Sequence, residues 1–130
     1  MISDYYEQLV MDSLATADEF PVPTTLYLAL FSTPIRKQDN IGSGPTELTG
    51  SGYVRTALSF AAWAKGLSVL DAYCPLFVPT ATLGPVVATA LCDASTAGNI
   101  VFSSLCRPFL IVPTRLPAGV ASGRLRVSLK

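Results

Sequence analysis

The stretch VVATALCDASTAGNIVFSSL, residues 86–105, decides the fold. Val86–Asp93 and Asn99–Leu105 are β-type apolar runs, and the ASTAG between them is a cluster of small turn-forming residues, so the stretch predicts a β-hairpin. Asp93 is expected to cap the turn by accepting from nearby backbone N–H groups. Upstream, TLYLALF (25–31) is apolar at both alternating sets of positions, with Leu26, Leu28 and Leu30 on one side and Tyr27, Ala29 and Phe31 on the other. That is the pattern of a central strand covered on both faces. In ELTGSGYVRTALSF (47–60), Gly50 and Gly52 supply backbone angles that a side chain would forbid. The strand that follows sets Val54, Leu58 and Phe60 against Arg55 and Ser59.

Further strands are expected at Leu76–Val78, at the proline-flanked Pro108–Val112, and where Leu125, Val127 and Leu129 alternate with Arg124, Arg126, Ser128 and Lys130. About seven strands with turns between them predict a mainly β domain, an antiparallel sandwich or barrel-like fold preceded by one amphipathic helix. The helix is expected over residues 3–17. Asp4 with Glu7 resembles a capping box, Ser3 is a competing cap, and Ile2, Tyr6, Leu9, Val10, Leu14 and Ala17 recur at helical spacing until Pro21 and Pro23 end it. Residues 1–20 therefore form a helical arm of a single domain spanning 1–130.

Residues 32–52, STPIRKQDNIGSGPTELTGSG, carry no periodicity. A long Gly/Ser/Pro-rich loop of this kind is a candidate arm for contacting a partner, and deleting residues 35–46 is expected to leave the domain folded while removing that contact. Residues 61–75, which include Trp63, have no clear period.

Half of the chain is hydrophobic and 14% is charged, against about 25% charged in ordinary soluble domains. So little charge predicts surface hidden in an oligomer or larger assembly. No apolar run approaches the roughly 20 residues of a membrane span, and MISDYYEQ lacks the positive start of a signal peptide. The net charge of zero conceals a segregation: residues 1–31 hold five acids and no base, and residues 94–130 hold five bases and no acid. The two ends can meet within one subunit or between neighbouring copies. Five bases without interleaved aromatics do not make a nucleic-acid footprint.

The chain has no histidine, which removes the usual base of a hydrolase triad. GSGPTELTGSG lacks the GK[ST] ending of a phosphate loop, no calcium-loop series occurs, and the acids form no facing pair. Cys74, Cys92 and Cys106 contain no CxxC spacing and are read as reduced, buried thiols. No catalytic residue, cofactor or metal site is expected, and the protein is read as non-enzymatic.

DYYEQLVMDSLA, PTTLYLALFSTP, TELTGSGYVRTALSF, FVPTATLGPVVATALCDASTAGNIVFSSL and SGRLRVSLK, taken in order, resemble a widespread family of small tailed-bacteriophage virion proteins, often labelled tail fibre or minor structural protein. Two departures stand out: residues 61–75 are apolar where a polar connection is usual, and RPFLIVPTRLP is unusually greasy. The resemblance implies a β-rich structural protein of the virion, made in the host cytoplasm and present in multiple copies. Its partners would be copies of itself and other virion proteins, with no nucleic acid and no membrane. The leading expectation is a capsid decoration (cement) protein bound to the major capsid protein; the alternative is a tail or tail-fibre component acting in attachment. A carbohydrate-binding or hydrolytic β domain would instead need exposed aromatics beside carboxylates, for which Trp63 with Tyr53 or Tyr73 is the only support. Expected partner contacts are Tyr6, Leu9 and Leu14 on the helix, Ile35, Arg36, Lys37 and Ile41 in the loop, and Arg124 and Arg126 on the basic strand. Glu47, Gly50, Gly52 and Arg55 are expected to hold the Gly-rich loop.

Overall fold

A computed structural model describes residues 1–17, 19–20, 23, 25–59, 67–69, 74–75, 78–112, 119–120 and 126–128, with the backbone alone for 67–69, 74–75, 107–112, 119–120 and 126–128. Among the described residues one helix, α1 (Asp4–Thr16), precedes eight strands: β1 (Leu26–Phe31), β2 (Thr56–Leu58), β3 (Leu67–Val69), β4 (Cys74–Pro75), β5 (Leu83–Cys92), β6 (Ile100–Val112), β7 (Gly119–Val120) and β8 (Arg126–Ser128). The protein is mainly β, as its alternating runs predict. Among the described residues the strands pair as one open four-stranded sheet, in the order β2-β1-β5-β6, and as two ladders, β3 with β8 and β4 with β7. All pairings are antiparallel. A second facing sheet and barrel closure are not among them.

β1 is central, as its two apolar faces require. One face of the sheet is built from small residues: Ala29 and Phe31 on β1 pair with Ala90 and Ala88 on β5. With Cys92 and Ile100 they form a buried cluster that Ile35 completes, and Ile41 packs against it. Small side chains on the sheet leave room for the 32–46 loop to lie over it. Through Ile35 the loop contributes a side chain to the core of its own subunit. On the other face of these strands Leu28, Leu30, Leu58 and Leu91 are also buried.

The β5–β6 hairpin matches the predicted pair but runs further, because β6 continues through Pro108. Between Val86↔Leu110 and Ala88↔Leu105, two steps on β5 are matched by five on β6. A bulge of that size interrupts the ladder, so Pro108, which has no N–H to give, fits inside it. Beyond the hairpin the two short ladders keep its phase. Pro75↔Gly119 lies eight residues back and seven residues on from Leu83↔Val112, and Leu67↔Ser128 lies sixteen back and sixteen on. The pairings follow one antiparallel progression, from the 93–98 turn outward to β3 and β8.

Ser3, not Asp4, caps α1: its Oγ accepts from the Tyr6 N–H and donates to the Ile100 carbonyl. Ser3 N–H donates to the Val101 carbonyl at 2.9 Å, and Ser103 N–H to the Met1 carbonyl at 2.8 Å. The helix start is thus stitched to the outer edge of β6. No helix among the described residues is long and apolar enough to cross a membrane.

Candidate functional site

Glu47 and Arg55 hold the Gly-rich loop at one end of the sheet. The Arg55 guanidinium forks onto the carboxylate, Nε to Oε1 at 2.7 Å and Nη2 to Oε2 at 2.6 Å, while Nη1 donates to the Ala94 and Ala97 carbonyls at 2.9 and 2.8 Å. The Tyr53 hydroxyl donates to Glu47 Oε1 at 2.8 Å and accepts from the Leu30 N–H at 3.0 Å. One buried cation, 4% exposed in its side chain, therefore ties the 47–55 loop to the hairpin turn. Burial pushes the Glu47 carboxyl upward, but hydrogen bonds from Arg55 and Tyr53, with the Arg55 charge, outweigh it and hold the pKa below the usual range. Burial pushes the Tyr53 phenol up, as does Glu47.

Gly52 takes a positive φ of 79° where a Cβ would sit 3.0 Å from the Val78 carbonyl oxygen, and Thr80 N–H donates to the Ser51 carbonyl there. Between this loop and the 95–97 turn lies an open cleft of about 540 Å³, lined among others by Thr49, Tyr53, Val54, Arg55 and Thr96.

A second junction joins α1, the 32–46 loop and the hairpin turn. The Tyr6 hydroxyl donates to Asp93 Oδ2 at 2.9 Å, and Asp93 Oδ1 accepts from the Asn99 N–H at 2.7 Å. Asn40 Oδ1 accepts from the Ile41 and Ile100 N–H groups at 2.9 and 2.8 Å, and its Nδ2 donates to Asn99 at 2.8 Å. Burial raises the Asp93 carboxyl, yet the Asn99 backbone and side chain and Tyr6 together bring it below its ordinary value. Tyr6 is pushed up by burial and by Asp93. Gly98 is required in the turn, since a Cβ there would run into Asp93 Oδ1 and Ala94.

The expected contact residues fall into three groups. Tyr6 and Ile35, at 4% and 7% exposed, lie in the subunit's own interior, and Ile41, half-buried, packs against the core. Lys37 is committed within the subunit, its Nζ lying 2.6 Å from Glu7 Oε2 and 3.5 Å from Asp4 Oδ1, and the Glu7 hydrogen bond raises its pKa. Leu9 is half-buried, Arg36 is exposed, and Leu14 is 76% exposed. Arg124 lies outside the described residues, and Arg126 is placed by its backbone opposite Val69.

Val10 and Met11 join Leu14 as exposed apolar side chains on the outer face of α1, with Met11 at 62%. The helical period put Val10 in the apolar stripe but gave no sign of Met11, which falls off it. Asn40, whose amide bridges loop and hairpin, carried no sequence signal because an asparagine in a loop has many uses.

Burial pushes the Cys92 thiol up to about 11, so it stays protonated and unreactive near neutrality. No group of three or more His, Cys, Asp or Glu among the described residues stands where it could hold a metal. What the geometry provides is a sheet with a bolted-down loop and one exposed apolar helix face. A family model described as Podophage GP4 fiber I protein gp80 matches residues 1–123 of the chain. No curated protein matches it.

Proposed function

The chain belongs to this podophage fibre family, and on that premise we propose that it is a non-enzymatic fibre component of the virion tail, acting in attachment rather than as a cement protein on the shell. The observation that carries the reading is the family match across nearly the whole chain, which names a fibre protein and makes the protein a virion component associated with other virion proteins. Low charge, complementary ends and a long loop, the features that favour capsid decoration, suit a fibre subunit equally well. The lack of histidine and the commitment of Glu47, Arg55 and Asp93 to structural bonds support a role through shape and surface.

Immunogold labelling of purified virions, with quantification against the major capsid protein, tests the proposal. Gold at the tail with a copy number at a low multiple of its symmetry is expected. Hundreds of copies distributed over the shell would return the protein to the decoration class, and its absence from virions would end the structural reading.

A further inference from the structure

The cleft between the 47–55 loop and the 95–97 turn holds polar groups that the fold does not use up. Glu47, Tyr53 and Arg55 all line it. A guanidinium carries five N–H donors in one plane, and Arg55 makes four bonds with them: Nε and Nη2 to Glu47, and Nη1 to the Ala94 and Ala97 carbonyls. One N–H on Nη2 is left over among the described residues. Across the fork, Glu47 Oε1 accepts twice, from Tyr53 and Arg55, whereas Oε2 accepts once. A forked guanidinium–carboxylate pair is planar, so the spare N–H and the spare lone pair of Oε2 stand side by side on one edge of it. The Glu47 side chain is 23% exposed, so the pair is not sealed from the cleft.

That edge specifies a partner. It sets one donor beside one acceptor, a demand that a hydroxyl meets alone, because it donates and accepts, and that two neighbouring hydroxyls meet better. The two charges cancel within the pair, which favours an uncharged ligand: an anion would be repelled by Glu47 and a cation by Arg55. The walls suit the same chemistry. Val54 is 59% exposed and the Tyr53 ring stands beside the carboxylate, giving apolar surface for C–H groups, while exposed Thr49 and Thr96 bring hydroxyls to the rim. The volume of about 540 Å³ is in the usual range for small-ligand sites. We propose that this cleft binds an uncharged saccharide, with neighbouring sugar hydroxyls on the Glu47–Arg55 edge and the apolar face of the ring against Val54 and Tyr53. Glu47 is the one acid lining the cleft among the described residues, so the site binds the sugar and lacks the second carboxylate that cleavage needs. The inference rests on the attachment reading and deepens it by naming the class of surface to be held. Binding by purified protein can fail while the tail location stands, and labelling of virions can fail while binding stands.

The test is a titration of the full chain followed by its amide ¹H–¹⁵N spectrum. The probes are N-acetyl-D-glucosamine, methyl α-D-glucopyranoside and methyl α-L-rhamnopyranoside, with D-glucosamine and D-glucuronic acid, both charged in slightly acidic buffer, as comparisons. At least one neutral sugar is expected to shift amides of the 47–55 and 95–97 segments with a millimolar Kd, and the charged sugars to bind at least about threefold more weakly. Thr96→Trp and Val54→Arg each block the cleft from an exposed position and should abolish the shifts with the melting midpoint unchanged. Neutral sugars that leave those amides unmoved, charged sugars that bind as well as neutral ones, or shifts that persist in a folded blocking variant would each overturn the proposal.

Discussion

Replacing Arg55 with Met would leave the Glu47 carboxylate largely buried without its counter-charge and the Ala94 and Ala97 carbonyls without their donor. The expected cost near neutral pH is about 3 kcal/mol, since the loss includes the penalty of an uncompensated charge as well as the missing bonds. The same group predicts a pH dependence. Glu47 and Asp93 both titrate below their ordinary values in the folded chain, so the unfolded chain binds more protons over the interval between the two states. Their stabilisation is complete above the unfolded values of about 4 and is lost as pH falls through the lower folded values. Protonating Glu47 also removes the stranded charge from the variant. Urea midpoints should therefore separate wild type from Arg55→Met widely at about pH 7 and less at about pH 3. An equal gap at both would mean that Arg55 acts through its carbonyl contacts and not through Glu47.

The 32–46 loop behaves as an element of the core although it has no regular structure. Ile35 sits in the same cluster as Phe31 and Ile100, and Asn40 holds the N–H at the start of β6. Ile35→Ala should cost about 3 kcal/mol by leaving a cavity over the alanine face, and deletion of residues 35–46 should abolish cooperative thermal unfolding. A sharp melt in the deletion variant would restore the loop to the status of a detachable arm. The elements differ in how far residue order reveals them. β1 and the β5–β6 hairpin were legible because alternation and a small-residue turn are local signals. The length of β6 was not, because a proline is read as a stop and the bulge that accommodates it depends on the partner strand. The loop's place in the core was hidden for a related reason: Ile35 and Ile41 are isolated apolar residues in a polar run, and only the small side chains across the sheet explain why they turn inward. Of the helical stripe Tyr6 was legible as core, whereas Val10 and Leu14 are exposed, because spacing gives the stripe but not how much of it meets the sheet.

For the whole molecule, the phase shared by β5–β6, β4–β7 and β3–β8 predicts an elongated particle. A compact chain of this length would have a radius of gyration of about 14 Å, and small-angle scattering of the protein as a monomer should give a clearly larger value. A value near that of a sphere would mean that the outer ladders fold back on the sheet. The family was legible from ordered strand and turn segments spread along the chain, whereas tail against shell was not, since low charge and segregated ends describe any subunit that packs against neighbours. The stitching of the helix start to β6 also has a consequence for biosynthesis. Ser3 bonds to Ile100 across 97 residues, and β1 finds its β5 partner only at Ala88–Cys92. A ribosome adding 5–20 residues per second needs about 5–20 s to deliver those partners. β2 arrives first and covers one edge of β1, but until the hairpin is made the helix start and the other edge of β1 lack their partners, so their apolar surfaces stay open on the nascent chain.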